Sequence, residues 1–372
     1  MFVFLLHVPL LRLPYFWDEA GYYVPAARDI LLSGSLIPHT TLSNAHPPLV
    51  MAWLAIWWKV VGYAPAVTRT AMLVIAAFSL LGLFRLAEAV ANTSVAIAAT
   101  LCTALYPVFF SQSSLAQVDL AAAGLIFWGL TAYVEERTLA TVVWFSLAAL
   151  AKETAILAPF ALAGWEVIGR LARRSSLQKL WVGKDWERKN EHDQGEVIAR
   201  KATDGSTRRI FSLLIPAIPL AIWYGYHYVR MGYVFGNPEF FRYNVAATLS
   251  PTRFLLALGM RIWQISGYLH LWLLTLAMLL AIWMLPPLRD SNSTRDCIAI
   301  PVQMIFYVVI LAYVVAMALI GGAVLARYML PAVPLVILVS LSTLWRRVAF
   351  WPAVVAFIAL AFVAAWFWNP PY

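Results

Sequence analysis

From residue 66 onward one pattern recurs: an apolar run, then a short polar break. A bilayer's hydrocarbon core takes about 20 apolar residues of helix to cross. Within it, a backbone satisfies its own hydrogen bonds as a helix or a closed barrel. The pattern predicts spanning helices over about 66–86, 94–111, 115–134, 138–151, 153–169, 210–229, 267–287, 300–320, 328–344 and 348–367. The apolar run 1–13 is too short to span and is taken as a truncated first span, which makes about eleven. With 62% hydrophobic and 12% charged residues, a soluble domain is excluded. The expected fold class is an all-α polytopic membrane protein whose first partner is the lipid bilayer. Its net charge of +9 does not indicate nucleic acid, because the basic residues lie between apolar spans. The two cysteines, Cys102 and Cys297, fit neither a disulfide framework nor a metal cluster. No small-residue cleavage site follows the first apolar run, and no internal repeat is evident.

Lys and Arg in short loops set the expected orientation. Segment 170–209 holds 11 Lys+Arg against 6 Asp+Glu and is placed in the cytoplasm as a flexible basic loop. Alternation brings Arg85, Arg137, Arg289, Arg295, Arg346 and Arg347 to the same side. The sequons at Asn92 and Asn292 also fall there and are treated as chance. The loop therefore divides an N-terminal membrane module, 1–169, from a C-terminal one, 210–372.

The opposite face carries Asp18, Glu19, His46, Asp119, Lys152, Glu153, Tyr233, Glu239 and Arg327. A charge at bilayer depth costs at least about 2.5–3.5 kcal/mol unless paired or hydrated. Ionisable groups gathered at one face suggest a shared polar cavity opening outward. The first outer loop, 14–60, should contain two interfacial helices, Glu19–Leu32 ended by Gly34, and 49–61.

Each candidate has a functional and a structural reading. Asp18 and Glu19 can act as general bases, or cap the following helix and fill its first turn. His46, before Pro47-Pro48, can contact a phosphate or mark a rigid turn. With Asp18 and Glu19 it could hold a divalent ion, but no metal-ligand spacing supports this, so no cofactor is expected. Asp119 either shapes a site or is the buried partner of Lys152 or Arg327. Lys152 and Arg327 can bind phosphate, as a point charge and a bidentate fork, or snorkel to the interface.

The pattern Asp18-Glu19-Ala20-x-Tyr22, Ala27-Arg28-x-Ile30-x-x-x-Gly34, Pro38 and His46-Pro47-Pro48-Leu49 resembles the first outer loop of bacterial C-type (GT-C) membrane glycosyltransferases. This group includes the dolichyl-phosphate-mannose protein mannosyltransferase type, aminoarabinose transferases and rhizobial lipopolysaccharide glycosyltransferases. Ala151-Lys152-Glu153-Thr154 and Arg327-Tyr328-x-Leu330-Pro331-x-x-Pro334 are similar to further motifs of the group, in the same order. The matches run from about residue 15 to 340.

The resemblance implies a polyprenyl-phosphate-linked sugar donor, a hydroxyl acceptor on protein, lipid or glycan, and inversion at the anomeric carbon. It also implies a bacterial inner-membrane location with the site facing outward. Asp18 would then be the general base, with Glu19 and Asp119 beside it. Lys152, Arg327, Tyr328 and His46 would meet the donor phosphate. His46 is a departure, since many relatives carry Lys there; an unperturbed imidazole is fully charged only below about 6.5. The alternative class is a transporter or lipid flippase, which calls for midplane charges, broken helices in corresponding positions and repeat symmetry. A non-catalytic scaffold would not need a buried Asp119.

Overall fold

The fold is taken from a computed structural model that describes residues 2–174, 207–234, 236, 238–244, 250–288, 300–320 and 323–368. Most of the expected cytoplasmic loop, together with Arg289, Arg295, Cys297 and the Asn292 sequon, lies outside these residues.

The chain begins with α1 (Phe2–His7), a 3-10 turn and the outer loop. One π-helical turn over Glu19–Tyr23 leads into α2 (Val24–Ser33), which Gly34 ends at φ 72°, in the left-handed region that glycine adopts without strain. Next come α3 (Leu49–Val61), α4 (Pro65–Val90), α5 (Thr93–Leu105), α6 (Pro107–Gln112), α7 (Asp119–Val134), α8 (Thr138–Ala151) and α9 (Leu157–Arg174). The C-terminal part comprises α10 (Ala217–Met231), α11 (Pro238–Asn244), α12 (Pro251–Ser266), α13 (Leu271–Met284), α14 (Ile300–Ile320), α15 (Val333–Arg347) and α16 (Trp351–Trp368).

Among the described residues, five apolar helical stretches are by length and composition able to cross a membrane: Pro65–Val90, Glu153–Leu171, Thr207–Met231, Pro251–Met284 and Val302–Ile320. Leu49–Val61, Thr93–Leu105, Asp119–Val134, Thr138–Ala151 and Trp351–Phe367 are shorter apolar helices. The chain is an all-α polytopic membrane protein.

Three expectations about its elements need correction. The run expected over 94–111 breaks at Tyr106-Pro107, because proline restricts the residue before it to extended backbone, here ψ 124°. The run expected to start at 115 starts as a helix at Asp119, so this carboxylate stands at a helix N-terminus and not inside the span. The helix α12 lies where none was expected; Arg253, Arg261 and Gln264 interrupt its apolar pattern. The Asn92 sequon is a helix cap: its Oδ1 accepts from the Val95 amide at 3.0 Å.

Packing is tightest where α7 lies between α4 and α8. In lipid no hydrophobic force draws helices together, so small residues at the contact carry the association. A Cβ on Gly124 would lie 2.0 Å from Ser79 Oγ on α4, and one on Gly129 would meet the Phe145 ring of α8 at 2.6 Å. Asp119 is therefore fixed by the rigid docking of the whole helix. Because α7 and α8 are antiparallel, Lys152, at the end of α8, returns to the Asp119 end. The α15 and α16 helices pack on α5, and α14 packs on α9.

Candidate active site

Four segments converge at that end of the hairpin. Trp17 has φ 51°, in the region a bulky residue rarely adopts, and leaves its side chain 72% exposed. The next residue, Asp18, stands at the N-cap position, but its side chain makes no capping bond. Its Oδ2 instead accepts from Nη2 of Arg327, while Oδ1 has no partner among the described residues. The side chain of Asp18 stays 48% exposed.

Arg327 sits in a 3-10 turn, Ala326–Met329, between α14 and α15. Its Nη1 donates to Gln117 Oε1 at 2.7 Å, and its Nε lies 3.5 Å from Asp119 Oδ2. That buried Nε makes no hydrogen bond and remains a donor without an acceptor. Burial opposes the Arg327 charge, but Asp119, Tyr328 and Asp18 outweigh it and raise its pKa above the ordinary value. On the other side of Asp119, Oδ1 takes the Lys152 ammonium in a buried ion pair. Lys152 Nζ also lies 4.1 Å from the centre of the Tyr328 ring. Two carboxylates and two cations thus alternate in the order Asp18, Arg327, Asp119, Lys152. Asp119 is 3% exposed, Lys152 9% and Arg327 11% by side chain.

His46 and Glu153 extend this row. His46 Nδ1 lies 3.0 Å from Glu153 Oε2, and its ring stacks on Tyr23 with centroids 5.9 Å apart. Ala45, at φ 58°, turns the chain to aim His46 there. Trp223 Nε1 holds the Ala45 carbonyl at 2.9 Å, and Ser43 Oγ lies 2.8 Å from His227 on α10. Tyr23 is buried against the same charges; burial and then Asp119 raise its pKa well above the usual value, which leaves its hydroxyl neutral.

Glu19 does not join this row. It is fully buried and faces the other way, where both oxygens accept from Arg69 of α4 at 2.8 and 3.0 Å. Its Oε1 also takes the Ala116 amide at 2.6 Å, and Arg69 donates to the carbonyls of Pro14 and Ser114. Glu19 and Arg69 therefore bind the Asp18 loop to the 113–118 turn that leads into Asp119. The metal combination of Asp18, Glu19 and His46 is not assembled, since each meets a different partner. Among the described residues no three metal-ligating side chains converge on one point.

A further buried cation, Arg261, shapes the approach to Arg327. Arg261 donates to the carbonyls of Leu325, at 2.9 Å, and Ala323, at 3.1 Å; Gln264 donates to Val324 O at 3.0 Å. The strand of backbone that carries Arg327 is thus tied down by α12.

The fold as a whole matches known structures. The apo structure of ArnT from Cupriavidus metallidurans superposes with a TM-score of 0.58 at 16% identity, over 92% of this chain and 59% of that one. The structure of ArnT from the same organism bound to undecaprenyl phosphate gives a TM-score of 0.60 at 15% identity, over 97% of this chain and 68% of that one. The chain has the fold of ArnT. The chain spans less than two thirds of the length of the apo ArnT chain it matches. Residues 45–183 match the family model described as dolichyl-phosphate-mannose-protein mannosyltransferase, which covers less than half of the sequence. No curated protein sequence matches the chain. The family match takes in His46, Asp119, Lys152 and Glu153; Asp18 and Arg327 lie outside it and are brought to them by the fold.

Arg69, Gln117, Tyr23 and Arg261 were not singled out from sequence. Arg69 and Arg261 carried a usable signal: each is a charge inside an apolar run, as costly as Asp119. Gln117 and Tyr23 carried none.

Proposed function

We propose that the chain is an integral-membrane glycosyltransferase that moves a sugar from a polyprenyl-phosphate donor to an acceptor hydroxyl on the outer side of a membrane, with inversion. The observation that supports this best is Arg327, held between Asp18 and Asp119 with a buried donor unused. On this reading Asp18 Oδ1 accepts the acceptor's proton while the acceptor oxygen forms a bond to the anomeric carbon. The bond from that carbon to the phosphate oxygen breaks on the opposite face, and its electron pair leaves with the polyprenyl phosphate. Arg327 and Lys152 meet the growing charge on the leaving phosphate, a use of fixed cations that favours the transition state over the ground state. Asp119 keeps both cations charged and in place. His46, set by Glu153, borders the same space and adds a phosphate contact when protonated. Glu19 serves the reaction by positioning Asp18 and makes no contact with substrate.

ArnT's undecaprenyl-phosphate complex supports a polyprenyl carrier, and the match to the mannosyltransferase family supports glycosyl transfer. Purified protein given labelled polyprenyl-phosphate sugars and a membrane extract should transfer label to extract material. Mass spectrometry of co-purified lipid should find a polyprenyl phosphate. Absence of both would contradict the reading; transfer from a nucleotide sugar in place of the lipid would redirect it.

A further inference from the structure

A cleft of about 390 Å³ opens along the N-terminal half of α2, in the size range of small-ligand sites. Ala20, two residues after Asp18, stands on its rim, with Pro25 and Thr40 beside it. Two tyrosines line it, Tyr15 and Tyr63, with ring centroids 6.4 Å apart and planes tilted by 42°. Both rings are held from behind. The Tyr15 hydroxyl bonds Thr68 Oγ1 at 2.6 Å, and Tyr63 packs edge-on against Trp58 at 4.8 Å. The Thr40 wall is fixed as well. Asp29 Oδ2 accepts from the His39 amide at 2.6 Å and from the Thr40 amide at 2.9 Å. Thr41 Oγ1 donates to the Gly21 carbonyl at 2.8 Å.

Arg28 completes the cleft and is the only charged side chain that lines it. It has no hydrogen bond or ion pair among the described residues, although Asp29 is its chain neighbour. No carboxylate lines the cleft. A guanidinium left free beside fixed aromatic faces suits a ligand with an anionic group and a flat apolar face. A sugar ring offers that face through its C–H groups, and arginine binds phosphate or carboxylate through two parallel hydrogen bonds.

We propose that this cleft binds a sugar unit carrying a phosphate or carboxylate, with Arg28 on the anion and Tyr15 and Tyr63 on the ring. Resting on the glycosyltransferase reading, the unit is part of the acceptor, held apart from the hydroxyl that reacts at Asp18. The same chemistry could come from the headgroup phosphate of a surrounding lipid, so the test separates the two.

Full-length protein in phosphatidylcholine nanodiscs is titrated with glucose 6-phosphate and with glucose, and binding is read by saturation-transfer NMR on the sugar protons. Glucose 6-phosphate should bind about tenfold more tightly than glucose. Arg28→Ala and Arg28→Gln should remove that preference, Arg28→Lys should keep part of it, and Tyr63→Ala should weaken the ring-proton signal for both sugars. Unfolding temperature should stay unchanged in the Arg28 variants, whose side chain is exposed. Equal binding by wild type and Arg28→Ala overturns the proposal. So does loss of glucose 6-phosphate binding when phosphatidylglycerol is added to the nanodiscs, which would assign Arg28 to lipid headgroups. Binding is read without turnover: a chain that binds the sugar phosphate but transfers no label leaves the cleft standing and faults the transfer reading.

Discussion

Charged side chains gather at both ends of the α7–α8 hairpin, and the two groups differ in burial. At the α8–α9 junction end, Asp119 pairs with Lys152 across 33 residues and Asp18 with Arg327 across 309. At the far end, Arg85 meets Glu88 three residues on, with side chains 49% and 37% exposed. Arg137 meets Glu135 and Arg209 meets Glu136, again largely in the open. Exposed pairs are worth roughly 0–1 kcal/mol, because water already solvates both partners. A buried pair gains little over apolar packing, yet losing one partner strands the other charge, at a cost of about 3–5 kcal/mol. The far-end pairs are thus what a solvated surface acquires without design. The three buried charges of the row, Asp119, Lys152 and Arg327, cost stability to bring together, which is the pattern expected where charge is kept for chemistry.

The largest predicted change in stability comes from breaking the buried row. Asp119→Ala strands Lys152, leaves Arg327 with Asp18 as its one carboxylate, and should lower stability by about 3–5 kcal/mol, seen as a fall in unfolding temperature. Adding Lys152→Ala should return part of that loss. A change of less than about 1 kcal/mol in the single variant would mean that these charges are hydrated like those at the far end.

Arg69→Met tests the second buried pair. It should cost a comparable amount by stranding Glu19, and should also loosen the 113–118 turn. Faster amide exchange at Ala116 checks the second effect, since that amide bonds Glu19 directly. Unchanged exchange would separate Glu19 from the placement of Asp18.

A smaller effect is expected at Asp29. Burial raises its pKa, but the amides of Thr40 and His39 outweigh this and lower it. A carboxylate with a depressed folded value adds stability above its unfolded pKa of about 3.9, and that contribution fades as pH falls through the folded value. Asp29→Asn should cost about 1 kcal/mol near neutral pH and nothing once the wild-type carboxyl is protonated. Thermal unfolding of both proteins across that range should show the curves converge in acid; parallel curves would contradict it. At the end of the scale, Arg85→Ala should shift stability by less than about 0.5 kcal/mol, and high salt should erase even that.

The membrane architecture and most of the buried row were legible in the sequence for one reason: a charge in an apolar run is expensive and draws notice. That logic singled out Asp119, Lys152 and Arg327, which the fold brings together. Arg69 and Arg261 carry the same cost, but their partners, Glu19 and the backbone carbonyls before Arg327, lie on distant segments that no local spacing joins to them. Glu19 shows a different limit. Neighbours on a helix point about 100° apart, so adjacency to Asp18 said nothing about a shared direction. The Asp18–Glu19 pair divides into one residue facing the site and one facing Arg69. The helix over 251–266 was obscured because Arg261, which ties down the Arg327 segment, breaks its apolar run.

The most direct test of the proposed chemistry is transfer by Asp18→Asn. The substitution preserves shape and the contact with Arg327 but removes the proton acceptor. Label transfer from a polyprenyl-phosphate sugar should fall by about 10²–10⁴-fold, with unfolding temperature and retention of co-purified polyprenyl phosphate unchanged. Transfer at the wild-type rate by a folded, lipid-bearing Asp18→Asn protein would contradict the account.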